Sequence, residues 1–369
     1  MTLWRERGVG RHEGAAGILG RLPSVGSAPL SVLDLAPVST GATVGDALRN
    51  SLDLAQHVEG LGYLRHWVAE HHNMPGIASS APAVLIAHLA SVTTTIRVGS
   101  GGVMLPNHQP LVIAEQFGML EALHPGRIDL GIGRAPGTDP ITAHALRRAA
   151  DPSSDDLPAQ LAELLAFFHG TVARITAVPG AGNMPAIWLL GSSDFSARLA
   201  AELGMPFSFA HHFMPQNTEA ALEIYRCNFK PSTLDKPYAK IGVAVICAHT
   251  DEHARWLHGP AKLSFLRLRS GRPSTFPSPD EAAAYEYTPD QHTFVESWTA
   301  SHVVGSPETV RAGLLELQKR TSADELMLTT NVYDHGDRLR SYELVADALA
   351  DPAGDPSITT QVQGGGCSS

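Results

Sequence analysis

IRVGSGGVMLPNHQPLVIAEQFGMLEALHPGRIDLGI, residues 96–132, contains the repeating unit that decides the fold. Ile96 to Met104 is a short apolar and small-residue run. Leu111 to Leu123 then carries apolar residues at helical spacing, and Arg127 to Ile132 opens a second short run. A strand, a helix and a further strand in this order imply two parallel strands joined by a right-handed crossover.

Outward from this unit the alternation continues in both directions. Upstream lie Ser31 to Val38 with Thr43 to Leu61, then Arg65 to Ala69 with Ala81 to Val92. Downstream, Leu157 to Phe168 completes the fourth unit. The remaining pairs are Ala186 to Leu190 with Phe195 to Leu203, Pro206 to Ala210 with Thr218 to Phe229, Ala239 to Ala248 with Asp251 to Leu268, and Glu325 to Thr330 with Arg338 to Leu349. Eight such units predict an α/β fold, a (β/α)8 TIM barrel with insertions, spanning 30–350 as one domain. An open doubly wound sheet is the alternative, but no Gly-x-Gly-x-x-Gly follows the first strand.

Two stretches stand outside the repeat. Ala135 to Asp156 and Ser270 to Ser301 are rich in proline and read as long loops, the second being an insertion at about 270–301 and the candidate lid. A further helix is expected over Pro307 to Lys319, with Ser306 as its start. Residues 1–29 and 351–369 lack periodicity and read as flexible terminal extensions.

Composition narrows the function. The chain has 369 residues, 43% of them hydrophobic and 17% charged, enough apolar material for a large core. The net charge of −10 argues against a nucleic-acid partner. No apolar run reaches the ~20 residues needed to cross a bilayer, and the N-terminus lacks the apolar core of a secretory signal. Cys227, Cys247 and Cys367 show neither a zinc spacing nor a disulfide framework, which predicts a cytoplasmic protein.

The strand ends hold the chemistry. Gly191-Ser192-Ser193-Asp194 opens a helix, where unpaired N–H groups and two hydroxyls suit an anion; an ordinary N-cap is the competing reading. In RIDLGIGRAPGTD, residues 127–139, Gly131 and Gly133 thin a strand tip and Arg134 follows it. The pattern fits close approach of a flat ligand with a bidentate phosphate contact, or a plain glycine-rich turn. Gly99, Gly101 and Gly102 leave room for a planar ring, with Met104 beside them as padding or as core. His71 and His72 close the second strand, and His211 and His212 follow the sixth. Adjacent side chains on an extended chain point to opposite faces, so one of each pair can face the barrel mouth. No metal site is expected, because no further ligand cluster accompanies them. A serine-hydrolase elbow and a Walker loop are both missing from the sequence.

These residues together resemble the bacterial luciferase-like flavin-dependent monooxygenase family, in its single-chain subgroup. The likeness runs through WVAEHHNMPGIASSAPAVLIAHLA, the 96–139 segment and IWLLGSSDFSARLAAELGMPFSFAHHF, and covers about 30–347. It implies reduced FMN delivered by a separate flavin reductase, O2 as co-substrate, and oxygenation of a small organic compound, in secondary metabolism. It implies that His71 serves acid/base steps near the flavin. Arg134, Gly191, Ser192 and Ser193 would hold the phosphate, with Met104 at the ring. Gly101 and Gly102 would form a non-proline cis peptide beside it. By the same resemblance the protein is a homodimer built through helices beside strands two to four. A deazaflavin-dependent dehydrogenase on this fold and a non-catalytic flavin-binding protein are the alternatives.

Overall fold

The computed structural model describes residues 23–135, 139–146 and 157–350. The 351–369 tail and residues 1–22 of the expected N-terminal extension lie outside the described residues. The chain opens on β1 (Ser24–Val25), which pairs antiparallel with β2 (Ala28–Asp34). This hairpin corrects the expected boundary at residue 29: Val25 is fully buried, so the barrel structure begins earlier.

Six further barrel strands follow: β3 (Arg65–Val68), β4 (Arg97–Met104), β5 (Ile128–Gly133), β6 (Ala186–Gly191), β7 (Phe207–Phe209) and β8 (Ala239–Cys247). A short β9 (Val303–Gly305) and the last barrel strand, β10 (Glu325–Thr329), complete the set. Every barrel pairing is parallel, in the order β2-β10-β8-β7-β6-β5-β4-β3, and β2 also pairs with β3. The sheet is therefore a closed eight-stranded TIM barrel, as the alternation predicts. Strand β9 is an addition, pairing with Val245 to Cys247 at the far end of β8.

The helices α1 (Val44–Gly60), α2 (Pro82–Val92), α3 (Pro110–Leu123), α4 (Pro140–Leu146), α5 (Leu157–His169), α6 (Asp194–Leu203) and α7 (Thr218–Cys227) fill the first six crossovers. After β8 come α8 (Asp251–Arg269), α9 (Pro279–Ala283), α10 (Pro289–Thr299), α11 (Pro307–Thr321) and α12 (His335–Leu349). Helix starts follow local chemistry. Thr43 and Asp46 form a capping box at α1, and Ser306 caps α11 ahead of Pro307. The same logic overturns the expected loop at 270–301. Ser278 and Thr288 cap α9 and α10, and their prolines occupy first-turn positions where no backbone N–H is needed. Helix α4 likewise interrupts the other expected loop.

The main apolar core lies between strands and helices, with Val98, Ile128, Leu130, Ile241 and Val243 buried against residues such as Leu54, Phe117 and Leu314. Inside the barrel, the N-terminal end is polar. Arg65 bonds Asp129 at 2.8 Å and both oxygens of Glu325 at 3.1 Å, and Arg97 adds a second bond to Asp129. Lys240 Nζ lies 3.7 Å from Glu325 and over the faces of Trp67 and Trp188. Burial drives the Lys240 pKa well below its ordinary value. Arg65 and Arg97 are balanced by the carboxylates of Asp129 and Glu325. Cys247 is a buried free thiol.

Candidate active site

A cavity of about 560 Å3 opens at the C-terminal ends of the strands, and all eight residues singled out from the sequence line it: His71, Gly101, Gly102, Met104, Arg134, Gly191, Ser192 and Ser193. Strand ends put them there, since the loops after parallel strands emerge on one face of a barrel. The strand that His71 and His72 were expected to close ends at Val68, so both lie in the loop after β3, and there they diverge. His71 lines the cavity, while His72 Nε2 lies 2.9 Å from Glu70 Oε1. Glu70 is fully buried beneath it and also accepts from the Met104 N–H at 3.0 Å and pairs with His108 at 2.9 Å. Burial pushes the Glu70 pKa up, but these bonds outweigh it and hold the carboxyl below its usual range. An ionised Glu70 thus anchors the tips of β3 and β4.

The strand-tip glycines are all tightly packed, a Cβ on Gly101 standing 2.7 Å from Leu33 and one on Gly102 2.8 Å from the Gly131 carbonyl. A Cβ on Gly131 would stand 2.2 Å from the Ser100 carbonyl, and one on Gly99 would stand 2.5 Å from that of Asp129. These contacts mark close packing of β4 against β5. Gly101 and Gly102 line the cavity, and the peptide between them is cis, as the resemblance implied. The β4–β5 register shifts between Ser100 and Val103, at the same place.

Arg134 follows β5 on the cavity rim, its guanidinium 4.6 Å from the Phe195 ring centroid in the first turn of α6. Ser193 occupies the N-cap position of α6 without a side-chain capping bond. Both hydroxyls therefore remain available at a helix start beside a cation, a constellation suited to a phosphate.

The opposite wall was not legible in the sequence. Helix α8 and the segment through α10 supply His258, Phe265, Trp298 and His302. Phe265 stacks on Trp298 at 3.8 Å between centroids and on Phe294 at 5.4 Å. Phe294 and Trp298 stand four apart on α10, a helical spacing within a stretch that reads as loop. Of the second histidine pair, His211 bonds Thr218 away from the cavity, and His212 lines it.

Residues 29–324 match the family model of the luciferase-like monooxygenases. The chain belongs to that family. As a luciferase-like monooxygenase it is an oxidoreductase, and similar proteins carry the same description. One, the luciferase-like monooxygenase of Escherichia coli K12, is 47% identical over 86% of this chain and 96% of its own length. The crystal structure of apo-MsnO8 superposes with a TM-score of 0.81 and 42% identity, covering 87% of this chain and 98% of that one. The oxygenating constituent of 3,6-diketocamphane monooxygenase from Pseudomonas putida, solved with FMN, shares the fold at a TM-score of 0.66 and 20% identity, over 87% and 98%.

Proposed function

We propose that this luciferase-like monooxygenase binds reduced FMN and uses O2 to oxygenate a small organic substrate, the flavin arriving from a separate reductase in the cytoplasm. The observation that carries the reading is the convergence of Arg134, the uncapped start of α6 and the Gly101–Gly102 tip on one cavity. The residues fit the cofactor. Arg134, Ser192 and Ser193 would hold its phosphate. Gly101, Gly102 and Gly191 present no side chain, and Met104 offers a soft apolar surface to a ring. When bound, reduced FMN supplies the two electrons that let one oxygen atom enter the substrate and the other leave as water.

The chain's own contribution is orientation, dryness and proton handling. The wall of Phe265, Phe276 and Trp298 excludes water from the reacting centre. His71, next in the chain to the ionised Glu70 that anchors this strand tip, is placed to hold or deliver a proton at the cavity surface. A homodimer is part of the reading: Val84 on α2 and Val112, Met119 and Leu123 on α3 are exposed apolar residues on neighbouring helices.

The test is a titration of the anaerobic protein with reduced FMN and with a reduced deazaflavin, followed by oxygen uptake on adding air. Preference for FMN together with oxygen uptake supports the proposal. Tight binding of the deazaflavin alone, without uptake, makes the protein a deazaflavin dehydrogenase instead. FMN binding without any turnover, unchanged in His71→Ala, leaves a flavin carrier. Sedimentation at micromolar concentration tests the dimer.

A further inference from the structure

The cavity has a second polar sector that the cofactor reading does not use. In the closed strand order, β8 stands across the barrel from β4, and β10 across from β5. The tips of β7, β8 and β10 therefore face the tips that carry Gly101 and Arg134. His212, just past β7, is fixed there by Gly242 of β8. Its backbone N–H and its Nδ1 both donate to the Gly242 carbonyl, at 2.9 and 3.0 Å. A carbonyl can only accept, so the ring proton resides on Nδ1 and the neutral ring presents Nε2 as an acceptor. A Cβ at Gly242 would lie 2.7 Å from His212 Nδ1, so a larger residue there would displace the ring. His212 lines the cavity, and its Nε2 makes no hydrogen bond among the described residues.

Two more groups in this sector are buried without partners: Thr329 Oγ1, at the end of β10, and Asn331 Oδ1, just beyond it. Both residues line the cavity. Buried polar atoms left unmade are costly, at roughly 1–3 kcal/mol each, unless a ligand satisfies them. Next to this sector stands the stacked pair Phe265 and Trp298, reached through His302, whose ring meets Trp298 edge-on at 4.6 Å.

We infer that the β7–β8–β10 sector is a substrate-recognition site for a hydroxylated aromatic compound, with His212 Nε2 and Asn331 Oδ1 accepting hydrogen bonds from its hydroxyl groups. The aromatic frame lies along the Phe265–Trp298 wall. Burial, and the neighbouring His71, hold the His212 pKa down to about 4, so the ring stays neutral and does not become a donor at working pH. His212 therefore discriminates. An O–H group satisfies it, whereas an ether or a carbonyl oxygen at the same place sets acceptor against acceptor. The inference rests on the monooxygenase reading only for calling this ligand the substrate; the recognition itself needs no flavin.

The experiment uses three probes that differ at one position: 2-naphthol, 2-methoxynaphthalene and naphthalene. Each is titrated by calorimetry into the full-length protein without flavin. The wild type is expected to bind 2-naphthol about tenfold more tightly than the methyl ether. His212→Asn keeps a donor toward Gly242 but lacks an atom at the Nε2 position, and the preference should fall below threefold. Reduced FMN affinity, measured separately, should stay within twofold of wild type. Equal wild-type binding of naphthol and ether overturns the inference without any variant. So does an undiminished preference in a folded His212→Asn protein. Failure to bind FMN with the naphthol preference intact sinks the monooxygenase reading and leaves the recognition site standing.

Discussion

His258 Nε2 lies 3.0 Å from His302 Nδ1, which joins α8 to the segment after α10 by one imidazole–imidazole hydrogen bond on the cavity wall. Such a bond needs one protonated and one bare nitrogen, so it requires both rings neutral or a single shared charge. Burial, with Lys262 nearby, lowers the His258 pKa to about 4; burial and His258 itself lower that of His302 to about 3. In the unfolded chain both would titrate near the ordinary value of ~6.5. Between those limits the unfolded state binds more protons, so stability falls as pH drops from about 6.5 toward 4 and is unaffected by this pair above that window. The slope is at most about 1.4 kcal/mol per pH unit for each ring. Thermal melts across pH 4–8 should show this loss, and His302→Gln should flatten it. An unchanged curve in that variant removes the pair as its source.

Arg134→Ala should raise the dissociation constant of reduced FMN by about 10- to 100-fold, in line with the ~1.5–3 kcal/mol of charged hydrogen bonds. Riboflavin, which has no phosphate, should bind the variant and wild type alike. Arg134→Lys should recover only part of the loss, because an ammonium lacks the planar fork that also stacks on Phe195. Equal losses for FMN and riboflavin would mean that Arg134 acts elsewhere than at the phosphate.

Gly131→Ala should destabilise the barrel by about 2 kcal/mol or more, because its new methyl would collide with the backbone oxygen of Ser100 and force β4 away from β5. Gly60→Ala serves as the control. Nothing lies within 4 Å of a Cβ there, and the residue ends a helix, so alanine should be neutral or slightly stabilising. Urea midpoints distinguish the two; comparable midpoints would refute the packing account.

The polar barrel floor yields an asymmetric pair. Lys240→Met removes a buried amine whose Nζ has no hydrogen-bond partner, and should leave the melting temperature unchanged or raise it. Glu325→Ala takes away one of the two buried carboxylates that pair with Arg65 and should cost about 3–5 kcal/mol. Calorimetric melting of both variants checks the sign of each. Strong destabilisation by the methionine would show that Lys240 is charged.

The barrel and one side of its mouth were legible in the sequence because each depends on local pattern. Strand–helix alternation has a short period, and glycines at strand tips, Arg134 and Ser192 all follow their own strands directly. Arg65, Asp129, Lys240 and Glu325 were not legible. Each is a charged residue at a strand start, which reads as a solvated end until closure turns alternate positions inward. The wall from α8 to α10 was missed for another reason. A proline-rich stretch reads as loop, although Ser278 and Thr288 ahead of Pro279 and Pro289 make the same helix start as Ser306 before Pro307. Glycines posed the remaining ambiguity: a thin strand tip looks the same whether a neighbouring backbone or a ligand fills the space.

Phe276 exchanges backbone hydrogen bonds with Val38 and Thr40, so the roof of the cavity is sewn to the loop that follows the first barrel strand. Anyone transplanting residues 270–301 from a relative to alter what this enzyme accepts would have to carry 36–41 along with them. Grafted alone, the new roof would lose its seam and the chamber beneath would open to solvent.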